Sequence, residues 1–326
     1  SPAMQQVFKQ IAMVAPTDAA VHIVGESGTG KELVARSIHH FSRRQSGPLV
    51  VAHIAALSPS LAESELFGHV RGAFTGADHD HVGLLQRAHG GTLFIDEVAE
   101  IPLNLQVKLL RAIEYREVTP VGAAHSIPCD FRIISATHCD LRKLVAEGKF
   151  RHDLYYRLIT FEIHVPPLRE RTGDIKPLAE FFLKELCHKM ETPIPHMTPD
   201  FLSALLDRPW WGNVRELRSA LEHALILSRG GPLHADLLPP PLPQVFSQTP
   251  SLEYDLRECV KKWVMDALKD EKLLGQIHKQ FLDIVEPVLF ETVLEHYAGQ
   301  YLGAARALGL HRITLRRKLD RRKAAD

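Results

Sequence analysis

The sequence has no long hydrophobic run, no surplus of charge of either sign and few cysteines. No apolar stretch reaches the roughly 20 residues of a membrane-spanning helix, and no charged-then-apolar signal segment opens the chain. Four well-separated cysteines without a Cys-x-x-Cys pair favour reduced thiols over a disulfide framework. Since 39 Lys and Arg balance 39 Asp and Glu, the net charge indicates no partner. We expect a cytoplasmic protein with no membrane partner.

Apolar runs alternate with amphipathic stretches over residues 1–168. Five runs are typical of strands: AAVHIV, GPLVVAHI, GTLFID, DFRIISAT and ITFEIHV. Helical patterns lie between most of them, and this order predicts an α/β subdomain with a parallel sheet. Residues 169–237 carry only helical patterns and predict a helical subdomain. Residues 238–251 are rich in proline and predict a linker, and residues 252–326 predict an all-α domain.

A glycine-rich turn follows the first predicted strand in HIVGESGTGKELVA. It fits G-x-x-x-x-G-K, in which backbone N–H groups wrap phosphates at a helix N-terminus and the lysine reaches the β and γ phosphates. Glu32, which follows the lysine, departs from the general pattern, which has Ser or Thr at this position for Mg²⁺. The loop predicts a site for ATP and Mg²⁺. Its candidate nucleotide-binding residues are Gly25, Glu26, Ser27, Gly28, Thr29, Gly30, Lys31 and Glu32.

An acidic pair ends another predicted strand, in GGTLFIDEV. Asp96 can hold Mg²⁺ directly or through water, and Glu97 can orient and deprotonate an attacking water. The alternative is an ordinary acidic pair at a strand end. Since both motifs lie on one sheet in the right order, we favour a catalytic site.

The segment ELFGHVRGAFTGADHDHVG, residues 65–83, fits neither a helix nor a strand period. Glycines on both sides of Phe74 and Thr75 predict a mobile loop that presents Phe74. The alternative is a loop whose Phe74 folds back into the core. The neighbouring run Asp78-His79-Asp80-His81 is a candidate metal site, but no helix or sheet orients its alternate residues. This favours a solvated loop edge.

Positive charge gathers at the end of the chain, where residues 303–326 carry eight Lys or Arg against two Asp. This surplus on a helical pattern predicts a nucleic-acid contact, with a solvated basic tail as the alternative. The stretch YLGAARALGLHRITLRRKL predicts a helix, a turn and a second helix that enters the major groove. The candidate DNA-binding residues on the second helix are His311, Arg312, Thr314, Arg316 and Arg317.

Six motifs occur in the order found in NtrC-type bacterial enhancer-binding proteins, the AAA+ ATPases that activate sigma-54 RNA polymerase: GESGTGKELVA, ELFGHVRGAFTGA, GGTLFIDEV, FRHDLYYRL, PPLRER and GNVREL. The chain resembles this family over residues 1 to about 235, and its tail resembles the Fis-type helix-turn-helix domain. The resemblance implies a P-loop AAA+ sheet with a helical lid, ATP hydrolysis with Mg²⁺, and a hexameric or heptameric ring. It also implies a dimer through the C-terminal domain and remodelling of the sigma-54 closed complex from enhancer DNA.

The resemblance further implies roles for single residues. Arg151 and Arg157 match arginines that reach into a neighbour's nucleotide site, where they join Asp96 and Glu97 as catalytic residues. Arg215 matches a lid arginine that senses the phosphates of its own subunit. The resemblance implies that sigma-54 contacts the loop residues Gly72, Ala73, Phe74, Thr75, Gly76 and Ala77.

Several positions depart from the family pattern. His53 stands where the family has the Asn that couples nucleotide state to the catalytic Glu, and His138 replaces an Asn beside Thr137, which falls at the sensor strand end. We treat these three as sensor residues. Val70 replaces an acidic residue, and Trp211 replaces a proline.

These departures leave a second function open, that of a DNA-binding regulator that uses its AAA+ module for nucleotide-gated assembly with little turnover. An AAA+ unfoldase or helicase would need substrate-threading pore features and does not explain the Fis-like tail. No sensory domain precedes Ser1, so we expect either a fragment or control by a separate regulatory protein.

Overall fold

The computed structural model describes residues 1–54, 59–241, 252–268, 275–297 and 299–323. The predicted linker therefore lies outside the described residues from position 242 onward. The chain divides into two compact units, Ser1–Val245 and Phe246–Asp326. Among the described residues, no helix is long and apolar enough to cross a membrane.

A parallel five-stranded sheet forms the centre of the first unit; its strands lie side by side in the order Leu49–His53 (β2), Thr92–Asp96 (β3), Arg132–Thr137 (β6), Val21–Val24 (β1) and Phe161–His164 (β7). Its strands are the five runs that the sequence predicts, so the predicted α/β class is confirmed. A short antiparallel hairpin of β4 and β5 lies outside it. The strands are β1 (Val21–Val24), β2 (Leu49–His53), β3 (Thr92–Asp96), β4 (Glu117–Val118), β5 (Ile127–Pro128), β6 (Arg132–Thr137) and β7 (Phe161–His164).

Both faces of the sheet are covered by helices, because successive strand residues point to opposite faces. Phe94 and Ile134 pack with Val7, Ile11 and other residues in one core. Leu93 and Ile95 pack in a second core with the apolar face of the helix Leu103–Tyr115. The helices of this subdomain are α1 (Pro2–Val14), α2 (Lys31–His40), α3 (Pro59–Phe67), α4 (Leu84–Arg87), α5 (Leu103–Tyr115), α6 (Leu141–Ala146) and α7 (His152–Leu158).

The lid has its own core around Trp210, which is fully buried and donates its indole N–H to Leu205 O at 2.7 Å. Its helices are α8 (Ile175–Met190), α9 (Pro199–Asp207) and α10 (Asn213–Ser228). Short 3₁₀ helices lie at Val98–Glu100, Leu168–Glu170, Thr172–Asp174 and Ala235–Leu237.

The second unit is helical. Buried Phe290, Ala304, Ala305 and Leu315 form its core. Gly309 connects two of its helices with φ 64°, in the left-handed region that favours glycine. This is the predicted helix-turn-helix arrangement. The helices are α11 (Leu252–Ala267), α12 (Ile277–His296), α13 (Tyr301–Ala307) and α14 (Arg312–Lys323).

Candidate nucleotide site and loop

The glycine-rich loop joins the end of β1 to the start of α2. Gly28 and Gly30 have φ of 78° and 103°, and a Cβ on Gly28 would lie 2.4 Å from Gly212 O of the lid. Gly30 caps α2 without a side-chain hydrogen bond to the first helical N–H groups. Since these N–H groups are orphan donors, the loop and helix end together form an anion-binding arrangement.

Three successive carbonyl groups of the loop accept hydrogen bonds from the lid. The pairs are Ser27 O with Asn213 Nδ2 (3.0 Å), Gly28 O with Val214 N (3.0 Å) and Thr29 O with Arg171 Nη2 (2.8 Å). Because C=O and the following N–H point in opposite directions across a trans peptide bond, the lid turns the N–H groups of the next residues away from itself. The lid thereby orients the donors of the cradle.

Lys31 is buried and points back along this loop. Its Nζ donates to Gly25 O at 2.8 Å and to Glu26 O at 3.4 Å. The same Nζ lies 3.4 Å from Glu97 Oε1. The structure therefore brings together the lysine of one motif and the glutamate of the other.

Glu97 follows β3 with φ 54°, an uncommon conformation for a residue with a side chain. Its Oε2 accepts hydrogen bonds from His138 Nδ1 (2.7 Å), His138 N (3.2 Å) and Thr137 Oγ1 (3.3 Å). Burial raises the pKa of Glu97, but Lys31 and His138 outweigh burial, so its pKa is below the ordinary value. Glu97 is therefore held as a carboxylate.

The neighbouring Asp96 has a different environment. Burial, and then the charge of Glu97, raise the pKa of its carboxyl. His53 Nδ1 lies 3.7 Å from Asp96 Oδ2, whereas Glu97 has His138 as its histidine partner. Of the three predicted sensor residues, His53 therefore lies beside Asp96, whereas Thr137 and His138 contact Glu97.

The GAFTGA segment is a tight loop anchored at its base. Val70 N donates to Val121 O at 3.0 Å, and Gly72 N donates to Ala77 O at 2.9 Å across the loop. Gly72 and Gly76 have φ of 81° and 100°, and a Cβ at either would meet no atom within 4 Å. These glycines therefore serve the backbone conformation and not close packing.

Phe74 lies at the outer end of this loop and is 47% exposed. Its ring contacts the ring of His69 edge-on, with centroids 4.9 Å apart. His69 is held by Ser64 Oγ at 2.7 Å and stacks on His81 at 5.5 Å. Thr75 is exposed beside it. In this structure Phe74 does not enter the core.

The acidic and histidine-rich run next to the loop has protein partners of its own. Asp80 Oδ1 accepts a hydrogen bond from Arg71 N at 2.7 Å, and His81 lies 3.6 Å from Glu65. Across the described part of the chain, no three His, Cys, Asp or Glu side chains are grouped as metal ligands.

Comparison with known proteins decides the family. The family model described as "Sigma-54 interaction domain" matches residues 1–164, and the "AAA+ ATPase lid domain" model matches residues 169–253. The chain belongs to the sigma-54-dependent transcriptional regulators. The family membership that the sequence motifs predict is confirmed.

The similarity to individual relatives extends over nearly the whole length of the chain. The chain is 44% identical over 321 residues to the transcriptional regulatory protein ZraR of Klebsiella oxytoca, and the match covers 98% of the chain and 68% of ZraR. The chain is 40% identical over 326 residues to the DNA-binding transcriptional regulator NtrC of Azospirillum brasilense, and this match covers 98% of the chain and 68% of NtrC. A crystal structure of NtrX from Brucella abortus in complex with ADP matches with TM-score 0.70 and 34% identity, covering 98% of this chain and 68% of NtrX. The chain thus spans about two thirds of the length of these relatives.

The two candidate finger arginines of this sigma-54-dependent regulator lie on and before α7. Arg151 pairs with Asp153, at 2.6 Å. Arg157 is exposed and lines a cavity of about 260 Å³ beside Asp18, Phe131 and Thr160. These three residues precede β1, β6 and β7, so the cavity lies at the amino edge of the sheet, whereas the glycine-rich loop lies at the carboxyl edge. Along β6 the two edges are roughly 17 Å apart.

The candidate DNA-binding residues lie at the start of α14 or just before it. Arg312, Arg316 and Arg317 are exposed, and Thr314 is half-buried. The exposed His311 accepts hydrogen bonds at its carbonyl from Thr314 N and Leu315 N. Leu315 is fully buried and fixes the helix to the core. The structure therefore places the five residues on one short stretch of surface.

Other predicted residues occupy the rim of the nucleotide site. Arg215 Nη1 donates to Ser27 Oγ at 3.0 Å. Glu32 faces away from the loop in an exposed pair with Arg36, at 2.6 Å.

Three residues that hold the loop are not among those predicted from the sequence: Arg169, Arg171 and Asn213. Arg169 forms a bidentate pair with Glu26, and Asn213 Nδ2 donates to the same carboxylate at 3.0 Å. Their motifs, PPLRER and GNVREL, were visible in the sequence. Their roles were not, because each contact joins residues more than 140 positions apart.

Proposed function

We propose that this regulator hydrolyses ATP in a ring and uses the turnover to remodel the sigma-54 RNA polymerase closed complex while its C-terminal unit is bound to enhancer DNA. The observation that carries the proposal is the convergence of the phosphate loop, Lys31 and Glu97 within one site, with Nζ and Oε1 3.4 Å apart. The ADP and ATP complexes of the related NtrX support nucleotide binding.

The residues at the end of β3 fit a nucleotide-bound Mg²⁺. Asp96 offers a carboxylate at the carboxyl edge of the sheet, and Mg²⁺ in nucleotide sites is commonly held by one or two carboxylates together with phosphate oxygens. Mg²⁺ would neutralise charge on the phosphates. Asp96 would hold it, and Lys31 would leave Glu97 to contact the phosphates.

Glu97 is the base for the attacking water in this proposal. Lys31 and His138 lower its pKa in this structure, and three donors from His138 and Thr137 hold one oxygen independently of Lys31. Release of Lys31 to phosphate would free Oε1, the oxygen not held by His138. His138 and Thr137 thereby orient the base, whereas His53 acts beside Asp96.

Arg157 supports action in a ring. A side chain at the amino edge of the sheet does not reach a phosphate at the carboxyl edge of the same subunit, roughly 17 Å away along the strands. It can reach the site of a neighbour, where a guanidinium would stabilise charge on the transferred phosphoryl group. We assign Arg151 the same role on the basis of its position at the start of α7.

The GAFTGA loop is the proposed contact with sigma-54, through Phe74 and Thr75. A half-exposed phenylalanine on a loop with two left-handed glycines is available to a partner. The α14 arginines are the proposed contact with enhancer DNA, and a dimer through the C-terminal unit would present two such helices.

The function is tested by steady-state ATPase measurements over a range of protein concentrations. Activity per subunit should rise with concentration as rings form, and Lys31→Ala should abolish it. Nucleotide-dependent assembly with negligible hydrolysis at every concentration would instead establish the alternative, a DNA-binding regulator with a nucleotide-gated assembly module.

DNA binding is tested by removing residues after about 240. The shortened protein should keep its ATPase but lose specific enhancer binding, and full-length binding should weaken steeply with salt because phosphate contacts release counterions. A shortened protein that still protects one DNA site would refute the assignment to α14.

A further inference from the structure

Arg169, at the start of the lid, contacts the phosphate loop. Its guanidinium donates to both carboxylate oxygens of Glu26, from Nη1 to Oε2 at 2.7 Å and from Nη2 to Oε1 at 2.5 Å. Its Cζ lies 5.0 Å from the centroid of the Trp211 ring. We call Glu26, Arg169 and Trp211 the clasp. A planar guanidinium that is held by a bidentate pair and lies over an aromatic ring is fixed in two directions.

The clasp lies on the rim of the site and is charged. The side chains of Glu26 and Arg169 are 42% and 30% exposed. The hydrogen bond from Arg169 is the main cause that lowers the pKa of Glu26, against the opposing effect of burial and with help from Asn213. Solvent screens such a pair, so its contribution depends on geometry, which the aromatic ring improves.

We propose that Arg169 and Trp211 are positioning residues that hold the lid against the phosphate loop and slow the release of bound nucleotide. This inference rests on the proposed nucleotide site. The loop carbonyls are already bound by Asn213, Val214 and Arg171, and the clasp adds a side-chain link at Glu26, one residue before them.

The physical reason is that phosphates leave only when the loop N–H groups release them. A loop fixed at its outer face cannot turn those groups away, so the nucleotide stays until the lid moves. Trp211 contributes the aromatic face that orients Arg169.

The lid contains a matched control. Arg218 of α10 has a similar pair of partners, with its Cζ 5.8 Å from the Phe182 ring centroid and its Nη2 2.9 Å from Glu185 Oε1. All three control residues belong to the lid, and their contacts do not include the phosphate loop. Arg218→Ala therefore reports what the loss of an arginine, aromatic and carboxylate contact does to the lid itself.

The experiment measures the release rate of a fluorescent ADP analogue by stopped-flow displacement with excess ADP, using the full chain. Trp211→Leu keeps an apolar side chain but removes the ring, and Arg169→Lys keeps the charge but removes the fork. Both should release the analogue about threefold to tenfold faster than wild type. Trp211→Phe restores a ring and should stay within about twofold, as should Arg218→Ala.

A double-mutant cycle between Glu26→Gln and Trp211→Leu distinguishes a shared action through Arg169 from a general loss of stability. Since both act through Arg169, their effects on the release rate should be less than multiplicative. Unchanged or slower release in Trp211→Leu and Arg169→Lys would overturn the proposal, as would equal acceleration by Arg218→Ala. Absence of Lys31-dependent binding in the wild type would refute the proposed nucleotide site and the role of the clasp with it.

Discussion

Single residues at the nucleotide site should have separable effects, because the ammonium of Lys31 and the carboxylate of Glu97 are in contact but have different proposed tasks. Lys31→Ala should abolish nucleotide binding. Glu97→Gln keeps the size of the side chain and loses the base, so binding should persist while hydrolysis falls at least about 100-fold. Nucleotide titration and phosphate release on the same samples test this. Equal loss of binding in both variants would contradict the separate roles.

His22 predicts a pH dependence of stability. It is 1% exposed on β1, with Nδ1 2.8 Å from Ser135 Oγ. Burial is the main cause that lowers its pKa from 6.5 to about 4. The charge of Glu162 opposes this shift, and the charge of His164 on β7 adds to it. Because the unfolded chain takes up a proton at this histidine near pH 6.5 and the folded chain does not until about pH 4, the folded state loses stability as pH falls through that window. The full effect is about 3 kcal/mol.

The measurement is the free energy of unfolding at pH 7.5 and pH 5 in the wild type and in His22→Asn. The variant is expected to be less stable at both pH values, but to lose less stability on acidification. The same loss on acidification in both proteins would show that His22 does not supply the dependence.

At the scale of the element, the GAFTGA loop combines a firm base with an exposed outer end. Val121 anchors the base by two backbone hydrogen bonds, at 3.0 and 2.9 Å. At the outer end, the Phe74 ring contacts one aromatic ring among the described residues, that of His69. Such an element can change at its tip without unfolding the sheet behind it.

Substitution at the tip should therefore separate sigma-54 binding from ATP hydrolysis. Phe74→Ala should strongly weaken capture of sigma-54 and open-complex formation, since truncating an interface aromatic commonly costs about 2 kcal/mol or more. Thr75→Ala should act in the same direction. Hydrolysis should remain within a modest factor, because neither residue belongs to the phosphate loop.

Melting temperature, ATPase rate and sigma-54 binding are measured on one Phe74→Ala preparation, with Val82→Ala as a control at another exposed apolar residue. A core phenylalanine would cost about 3–5 kcal/mol of stability on truncation. A drop of that size with proportionate loss of every activity would mean that Phe74 is a packing residue.

At the scale of the whole molecule, Arg157 and Lys31 lie at opposite edges of the sheet, so the proposed ATPase needs a neighbouring subunit. Arg157→Ala subunits keep an intact loop, and Lys31→Ala subunits keep an intact arginine. Mixing the two inactive variants should restore part of the ATPase activity, because a Lys31→Ala subunit can lend Arg157 to its neighbour. Lack of any gain, with mixed assembly confirmed by crosslinking, would count against an arginine that acts between subunits.

The sequence by itself determined the five strands of the main sheet and the family. Strand runs of Val, Ile and Leu are local, and so is the G-x-x-x-x-G-K spacing, so the five strands and the loop before α2 were readable without coordinates. The domain boundaries and site roles remain predictions, although the cores of the sheet, lid and C-terminal unit are distinct.

Only the tertiary structure decided which side chains meet. Sequence placed His53 and His138 in one class, but the order of strands β2, β3 and β6 brings His53 to Asp96 and His138 to Glu97. The hold of the lid on Glu26 was likewise unreadable, since Arg169 lies 143 positions away. Hydrogen bonds and ion pairs act over a few ångströms, and sequence distance carries no information about such contacts until the chain has folded.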